Sequence, residues 1–520
     1  MKIRYFILLV FFGFLYAAGF PLFGTKVSFI TGPILGFAGL FYYLDRSRTL
    51  KESLLYSLLY SLGFYLIGFY WVPNTLTEFG NIPFPLNHIF GLSALFLISP
   101  HIFIYAILLH IFKKKIINQK LQYIIKALSF LVIQYITPQL FSAYPGHAWM
   151  KLAPNLYPAP YFGEYIFSFI SILISFELLR LYREKTFNYV NVFVAFLFFL
   201  SCFIPAKKIN NKDSINIRIA QANIGNNAKL SAEKGLPNSV DKVLRTYQDL
   251  STRKTEKKID LIIWPETSYP YSLAPFVLEK DYQFMPRVFK NIRQRMNADI
   301  FFGGYLQDRK SKYQQTFNSA FFIHKNKNTK VYNKNKLLPF GESLPFSEGI
   351  NNAIHSIIPS ISFFSISNSS TLFSSHSSTD TPYRFVGFIC YEALSPSLLR
   401  KHINSHSKMP QFLINLTNDS WYGETSEPEQ HLFLSKWRSV EFNLPMIRSA
   451  NTGISTIITN DGRELSRTAI NKVETLDATF EFPRSPKKTF FLIWGIIPTI
   501  LFALSVLIFN IILPRKPFLK

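Results

Sequence analysis

Eight stretches of the chain are predominantly apolar and long. They lie near residues 4–22, 27–44, 53–72, 88–112, 121–141, 161–182, 187–205 and 489–513. An α-helix needs roughly 20 such residues to cross the hydrocarbon core of a bilayer, so the pattern predicts a bundle of about eight transmembrane helices. Between 206 and 488 the pattern changes in kind. Short apolar, β-branched runs at 215–220, 260–264, 298–302, 320–324, 385–389, 412–416 and 455–459 alternate with polar or helical stretches. That alternation predicts one α/β domain. The chain therefore divides into a membrane domain at 1–205 with seven helices, an α/β domain at 206–488, and a last helix with a basic tail at 489–520. The serine-rich stretch 355–379 shows little periodicity and reads as a long surface loop or lid. Its Phe363, Phe364 and Phe373 could dip into lipid or pack on one another.

Composition strengthens the membrane reading, and charge gives it a direction. Of 520 residues 48% are hydrophobic and 54 are phenylalanine, against 31 acidic residues, a bias beyond the needs of a soluble core. The net charge of +25 invites a nucleic-acid partner. The basic residues instead cluster beside apolar stretches, so no nucleic acid is expected. One set comprises Lys2 and Arg4, then Arg46, Arg48 and Lys51, then Lys113, Lys114, Lys115 and Lys120. Arg180, Arg183 and Lys185 follow, and Arg515, Lys516 and Lys520 end the chain. The alternate loops are nearly free of cations: 73–87 has none and 142–160 has only Lys151. The positive-inside rule then places both termini in the cytoplasm and 206–488 outside it. Lys2 and Arg4 before an apolar run look like a signal peptide, but further spans follow, so an uncleaved first helix is expected. Lys126 and Glu177 fall near cytoplasmic helix ends, where long side chains reach the interface. The scarcity of mid-membrane charge argues against a transporter. Aromatic loops such as 69–73 and 144–149 suit an interfacial belt.

Three strand-like runs end in residues that carry chemistry. Ile259-Asp-Leu-Ile-Ile-Trp-Pro-Glu266 ends in a carboxylate, and Phe385-Val-Gly-Phe-Ile-Cys390 in a thiol. Val331-Tyr-Asn-Lys334 ends in an amine and leads into Pro339-Phe-Gly-Glu342. A thiol attacking a carbonyl needs a base and a stabiliser for the oxyanion. Glu266 can be the base, with Trp264 and Pro265 as apolar company that would raise its pKa. Lys334 or Lys336 can stabilise the oxyanion, and alternation does not choose between residues two apart. Taken singly, each has a dull explanation, core filler for the cysteine and a solvated edge for the lysines. The other cysteine, Cys202, lies in a predicted helix, so no disulfide is expected. No Cys/His spacing suggests a metal, and no cofactor is implied.

Together these motifs resemble the carbon–nitrogen hydrolase (nitrilase) superfamily over 206–488. Joined to seven helices before and one after, they resemble its membrane branch, the apolipoprotein N-acyltransferases. The resemblance implies an αββα sandwich and a Glu-Lys-Cys triad of Glu266, Lys334 and Cys390. Lys334 is selected over Lys336 because the family's lysine lies eight residues before the glutamate that corresponds to Glu342. That glutamate would be a second essential carboxylate, and Tyr391 and Glu392 would shape the pocket. Further matching stretches are 221–223, 418–423, 427–431 and 448–453. Leu230 and Ser343 stand where the family commonly has aromatic residues. The implied reaction takes an acyl chain from a membrane phospholipid onto Cys390, then onto the amine of a diacylglyceryl-cysteine apolipoprotein. It implies the periplasmic side of a bacterial inner membrane. The alternative is a membrane-tethered amidase acting on a small amide, for which one anchor helix would suffice.

Overall fold

The computed structural model describes residues 3–113, 121–205, 211–275, 285–308, 315–324, 329–344, 347, 349–351, 356 and 364–512. Lys2, Lys114, Lys115, Lys120, Phe363, Arg515, Lys516 and Lys520 lie outside them. The chain forms two compact units. One comprises Met1–Pro73, Phe84–Ala206 and Thr489–Lys520; the other comprises Asn74–Pro83 and Lys207–Lys488.

In the first unit every apolar stretch carries helix. The helices are Ile3–Ala17, Thr31–Arg46, Leu50–Gly68, Leu86–Ser93, Pro100–Phe112, Gln122–Ile136, Tyr165–Glu184, Tyr189–Cys202 and Ile497–Ile512. Eight unbroken spans are not what they display. Among the described residues only Tyr165–Glu184 is by itself long and apolar enough to cross a membrane. Two bent pairs also reach that length: Leu50–Gly68 with Val72–Glu78, and Leu86–Ile98 with Pro100–Phe112, bent by 60° and 51°. The breaks have local causes. Pro100 has no N–H to continue a ladder and so opens a new helix after Ser99. Gly495, at φ 61°, separates Phe490–Trp494 from Ile497–Ile512. Glycine spacing also sets the closest helix contact. A Cβ on Gly13 would fall 2.0 Å from the Tyr60 carbonyl oxygen, and one on Gly63 2.0 Å from that of Val10. The backbones of Ile3–Ala17 and Leu50–Gly68 therefore touch, as small residues allow. Glu177 does not reach outward as expected: it is buried and accepts from Asn188 N at 3.0 Å and Asn191 Nδ2 at 2.5 Å. Lys126 lies over the rings of Tyr123 and Phe176.

The second unit is built on two sheets. Its strands begin with β1 (Lys212–Gln221), β2 (Leu261–Ile263), β3 (Ser272–Leu273), β4 (Asp299–Asp308), β5 (Gln315–Ile323) and β6 (Lys330–Asn333). They continue with β7 (Leu372–His376), β8 (Pro382–Ile389), β9 (Phe412–Thr417), β10 (Met446–Ala450), β11 (Thr456–Ile458), β12 (Glu464–Arg467) and β13 (Glu474–Pro483). One sheet runs β13-β1-β2-β4-β5-β6 with β3 beside β4; the other runs β12-β11-β10-β9-β8-β7. The central strands β1, β2 and β4 are parallel, as are β8, β9 and β10.

Period-two alternation sorts these strands into layers. Ile300 and Phe302 of β4 join Trp264 in a core with Tyr247, Phe289 and Ile292, which come from helices Pro237–Thr252 and Arg287–Met296. Phe301, between them, turns to the opposite sheet and meets Phe373 and Phe385 at ring-centroid distances of 5.1 and 5.0 Å. Each such fully buried ring contributes roughly 1.5–3 kcal/mol. Helix Pro396–Asn404 packs on β8, and Ser435 of helix Glu427–Phe442 bonds Arg448 of β10. The order is helix, sheet, sheet, helix. The stretch read as a loop or lid thus contains β7, and Phe373 is fully buried between the sheets rather than offered to lipid. Phe364 stacks on Tyr305.

Candidate active site

Parallel strands leave their chemistry at their carboxyl ends, and the two sheets bring several such ends together. Glu266 lies three residues beyond β2, Asn418 directly follows β9, and Cys390 directly follows β8. Lys334 directly follows β6, where its backbone N–H donates to Asn318 O of β5 at 2.8 Å. The Lys334 ammonium, 1% exposed, sits between two carboxylates, 3.2 Å from Glu266 Oε1 and 2.8 Å from Glu342 Oε2. Asn318 Nδ2 donates to both, to Glu266 Oε1 and to Glu342 Oε1, each at 2.8 Å. Glu266 Oε2 accepts from Asn418 N at 2.9 Å, and Glu342 Oε2 from Leu338 N at 2.8 Å.

The apolar company expected for Glu266 is elsewhere. Trp264 turns its ring into the helix-side core, on Tyr247 at 4.7 Å, and donates its Nε1–H to Ser251. The carboxylate meets an ammonium and two N–H donors instead. Its backbone is pressed against β4 where only glycine fits: a Cβ on Gly303 would lie 2.5 Å from Glu266 Cα and 2.6 Å from Thr267 N. Gly303→Ala is expected to destabilise the protein by about 1–3 kcal/mol, the usual range for overpacking. Because the atoms that must move belong to Glu266, activity should fall further than the thermal midpoint alone explains. An alanine variant with wild-type activity and melting would refute this.

Cys390 adopts φ 47° and opens a 3₁₀ turn, Cys390–Leu394. This sharp strand-to-turn reversal is strained for a residue with a Cβ. Burial pushes its thiol pKa well up, Glu266 adds to this, and Lys334 opposes it. Burial alone would lower the Lys334 pKa, but Glu266 and Glu342 outweigh it and raise it, so the amine stays an ammonium. Glu392 is more than a pocket wall. Its Oε2 accepts from Ile389 N at 2.8 Å, and its Oε1 from Tyr332 OH, Asn335 N and Lys336 N at 2.8, 2.7 and 3.2 Å. It thereby ties the cysteine turn to the lysine loop. Tyr391 is buried, with Lys336 Nζ 5.1 Å from its ring centre. The geometry therefore separates the two lysines: Lys334 enters the carboxylate pair and Lys336 does not.

Sequence reasoning attached no role to Asn318, which carries no local signal because it lies mid-strand on antiparallel β5. It also missed a buried group formed by Asp419, Glu427 and His431, whose ligand atoms lie within 4.8 Å of one another. That spacing would suit a metal ion, but Arg448 Nη2 lies 3.1 Å from Asp419 Oδ2 and already supplies a cation there.

A carboxylate, an ammonium and a buried thiol at the ends of three strands, in a helix–sheet–sheet–helix sandwich, define a covalent hydrolase or transferase site. The carbon–nitrogen hydrolase family model matches residues 216–484, over half of the chain, and the chain belongs to that family. A second family model, the apolipoprotein N-acyltransferase N-terminal domain, matches residues 12–176. The chain is similar along most of its length to proteins named apolipoprotein N-acyltransferase. That of Bdellovibrio bacteriovorus is 29% identical, over 87% of this chain and 84% of the relative. That of Haemophilus influenzae is 26% identical, over 89% and 87%. That of Rickettsia prowazekii is 26% identical, over 86% of each.

Proposed function

We propose that this enzyme N-acylates apolipoproteins, taking the acyl chain from a membrane phospholipid through a thioester on Cys390. The relatives' shared name supports the lipoprotein acceptor. The observation that carries the mechanism is the buried Lys334 ammonium held between Glu266 and Glu342 within electrostatic reach of Cys390. Glu266 takes the Sγ proton as Sγ attacks the ester carbonyl. Lys334, with a backbone N–H near Cys390, stabilises the oxyanion. The C–O bond then breaks, the proton passes to the departing lysophospholipid, and the thioester remains. In the second half the α-amine of a diacylglyceryl-cysteine attacks the thioester, Glu266 takes the amine proton, and Sγ leaves and receives that proton back as the thiol. Glu342 orients Lys334. Glu392 and Tyr391 hold the cysteine turn and the lysine loop.

In this reading residues 1–205 form a seven-helix membrane domain, 206–488 the catalytic domain on the periplasmic side of a bacterial inner membrane, and 489–520 the returning helix and cytoplasmic tail. The alternation of basic and nearly cation-free loops supports that topology, as does helix in every apolar stretch.

The test is intact-mass spectrometry of the detergent-solubilised full chain after incubation with a phosphatidylethanolamine of defined acyl chains. One added acyl group on Cys390 is expected. Protein that stays unmodified while still acylating a diacylglyceryl lipopeptide would rule out the thioester. A tethered amidase would accumulate no long-chain adduct and acylate no lipopeptide.

A further inference from the structure

A second buried group, Asp419, Glu427, His431 and Arg448, meets Cys390 at its backbone carbonyl. These residues are 1, 4, 5 and 0% exposed. Arg448 Nη2 is 3.1 Å from Asp419 Oδ2 and 3.2 Å from His431 Nδ1, and its Nη1 donates to Asn415 Oδ1 at 2.7 Å. The carboxylates are further from the same ring nitrogen, Asp419 Oδ1 at 3.5 Å and Glu427 Oε1 at 3.6 Å. On its other side, His431 Nε2 is 3.4 Å from the Cys390 carbonyl oxygen.

These distances favour one tautomer. A guanidinium only donates, so toward Arg448 at 3.2 Å Nδ1 accepts; the competing arrangement, an Nδ1–H toward Asp419 Oδ1, is longer at 3.5 Å. Burial and then Arg448 lower its pKa, against the hydrogen bonds to Asp419 and to the Cys390 carbonyl that raise it, which favours the neutral ring. Its one proton is therefore on Nε2, aimed at the Cys390 carbonyl. That carbonyl belongs to the residue at φ 47°, a conformation the backbone does not hold cheaply. Carbonyl and N–H point oppositely from one planar trans peptide, so a bond to Cys390 O also sets the direction of the Tyr391 N–H.

We infer that His431 is a positioning residue for the nucleophile: Arg448 holds it in the tautomer whose Nε2–H fixes the Cys390 carbonyl and with it the strained turn that carries Sγ. This rests on Cys390 being the acylated residue.

His431→Gln and His431→Met are nearly the same shape, and only the glutamine keeps an N–H at that reach. Single-turnover acylation of Cys390 is followed by intact mass in the full-length enzyme with phosphatidylethanolamine. His431→Gln is expected to stay within a few-fold of the wild-type rate. His431→Met is expected to fall roughly 10- to 100-fold, as for a lost buried hydrogen bond, with the half-saturating phospholipid concentration unchanged. If the methionine variant does not fold, His431→Asn, whose amide is too short to reach, takes its place as the slow variant. Equal rates for the pair overturn the inference while the acyl-enzyme reading stands. So does a defect confined to half-saturation. Wild-type protein that takes no acyl chain overturns both.

Discussion

Cys390→Ala is expected to eliminate acyl transfer and leave the protein folded. The residue is 7% exposed at the mouth of β8, and alanine adds no strain to the φ 47° turn, which already accommodates a Cβ. Little packing is lost, whereas the only atom able to form the thioester disappears. Cys390→Ser is the sharper test, since it keeps the shape and supplies a far less acidic nucleophile. Both should lower transfer of a labelled acyl chain to a diacylglyceryl lipopeptide by at least about 10³-fold, the scale seen when a nucleophile is removed. Neither should carry an adduct by intact mass, and their thermal midpoints should stay near wild type. An alanine variant with a few per cent of wild-type turnover would mean that the amine attacks the phospholipid directly.

Lys334→Met should damage both activity and stability, and that combination is what distinguishes it. Methionine matches the stem, so the loss is of charge and hydrogen bonds. The oxyanion loses its cation, worth about 10²–10³-fold by analogy with single-donor deletions. Glu266 and Glu342 also lose the ammonium at 3.2 and 2.8 Å and remain buried with only N–H donors. Removing one partner from a buried ionic group typically costs about 3–5 kcal/mol. Lys336→Met provides the contrast. That amine lies over the buried Tyr391 ring, an interaction worth about 0.5–2 kcal/mol, so a smaller stability change than for Lys334 and activity within a few-fold are expected. Comparable acylation defects in the two variants would refute the assignment of Lys334.

Spacing alone left the two lysines open, and the reason is physical. Residues two apart on an extended chain share a face, and alternation carries no information about where the strand ends. Only the departure of the chain at Asn333, the end of β6, sends Lys334 inward and Lys336 past it. Glu392 shows the same limit. Its position beside Cys390 marked it as part of the pocket, but its partners Tyr332, Asn335 and Lys336 lie more than fifty residues away in sequence. Asn318 and His431 had no legible role for the same reason. Phe373 misled in the opposite sense: serine-rich surroundings suggested a loop, while its burial comes from Phe301 and Phe385 on other strands.

The sequence by itself determined that the apolar stretches carry helix, the α/β character of 206–488, and the three strand ends at which Glu266, Lys334 and Cys390 stand. Those follow from apolar length, period-two alternation and local composition, all of which act between near neighbours. Tertiary structure alone decided which amine meets the carboxylates, that Glu266 is held by N–H donors rather than apolar rings, and that burial and Arg448 lower the pKa of the histidine beside the nucleophile's carbonyl. Each of these depends on groups from 8 to 152 residues apart in sequence meeting within about 3 Å, where hydrogen bonds and buried charge have their full strength.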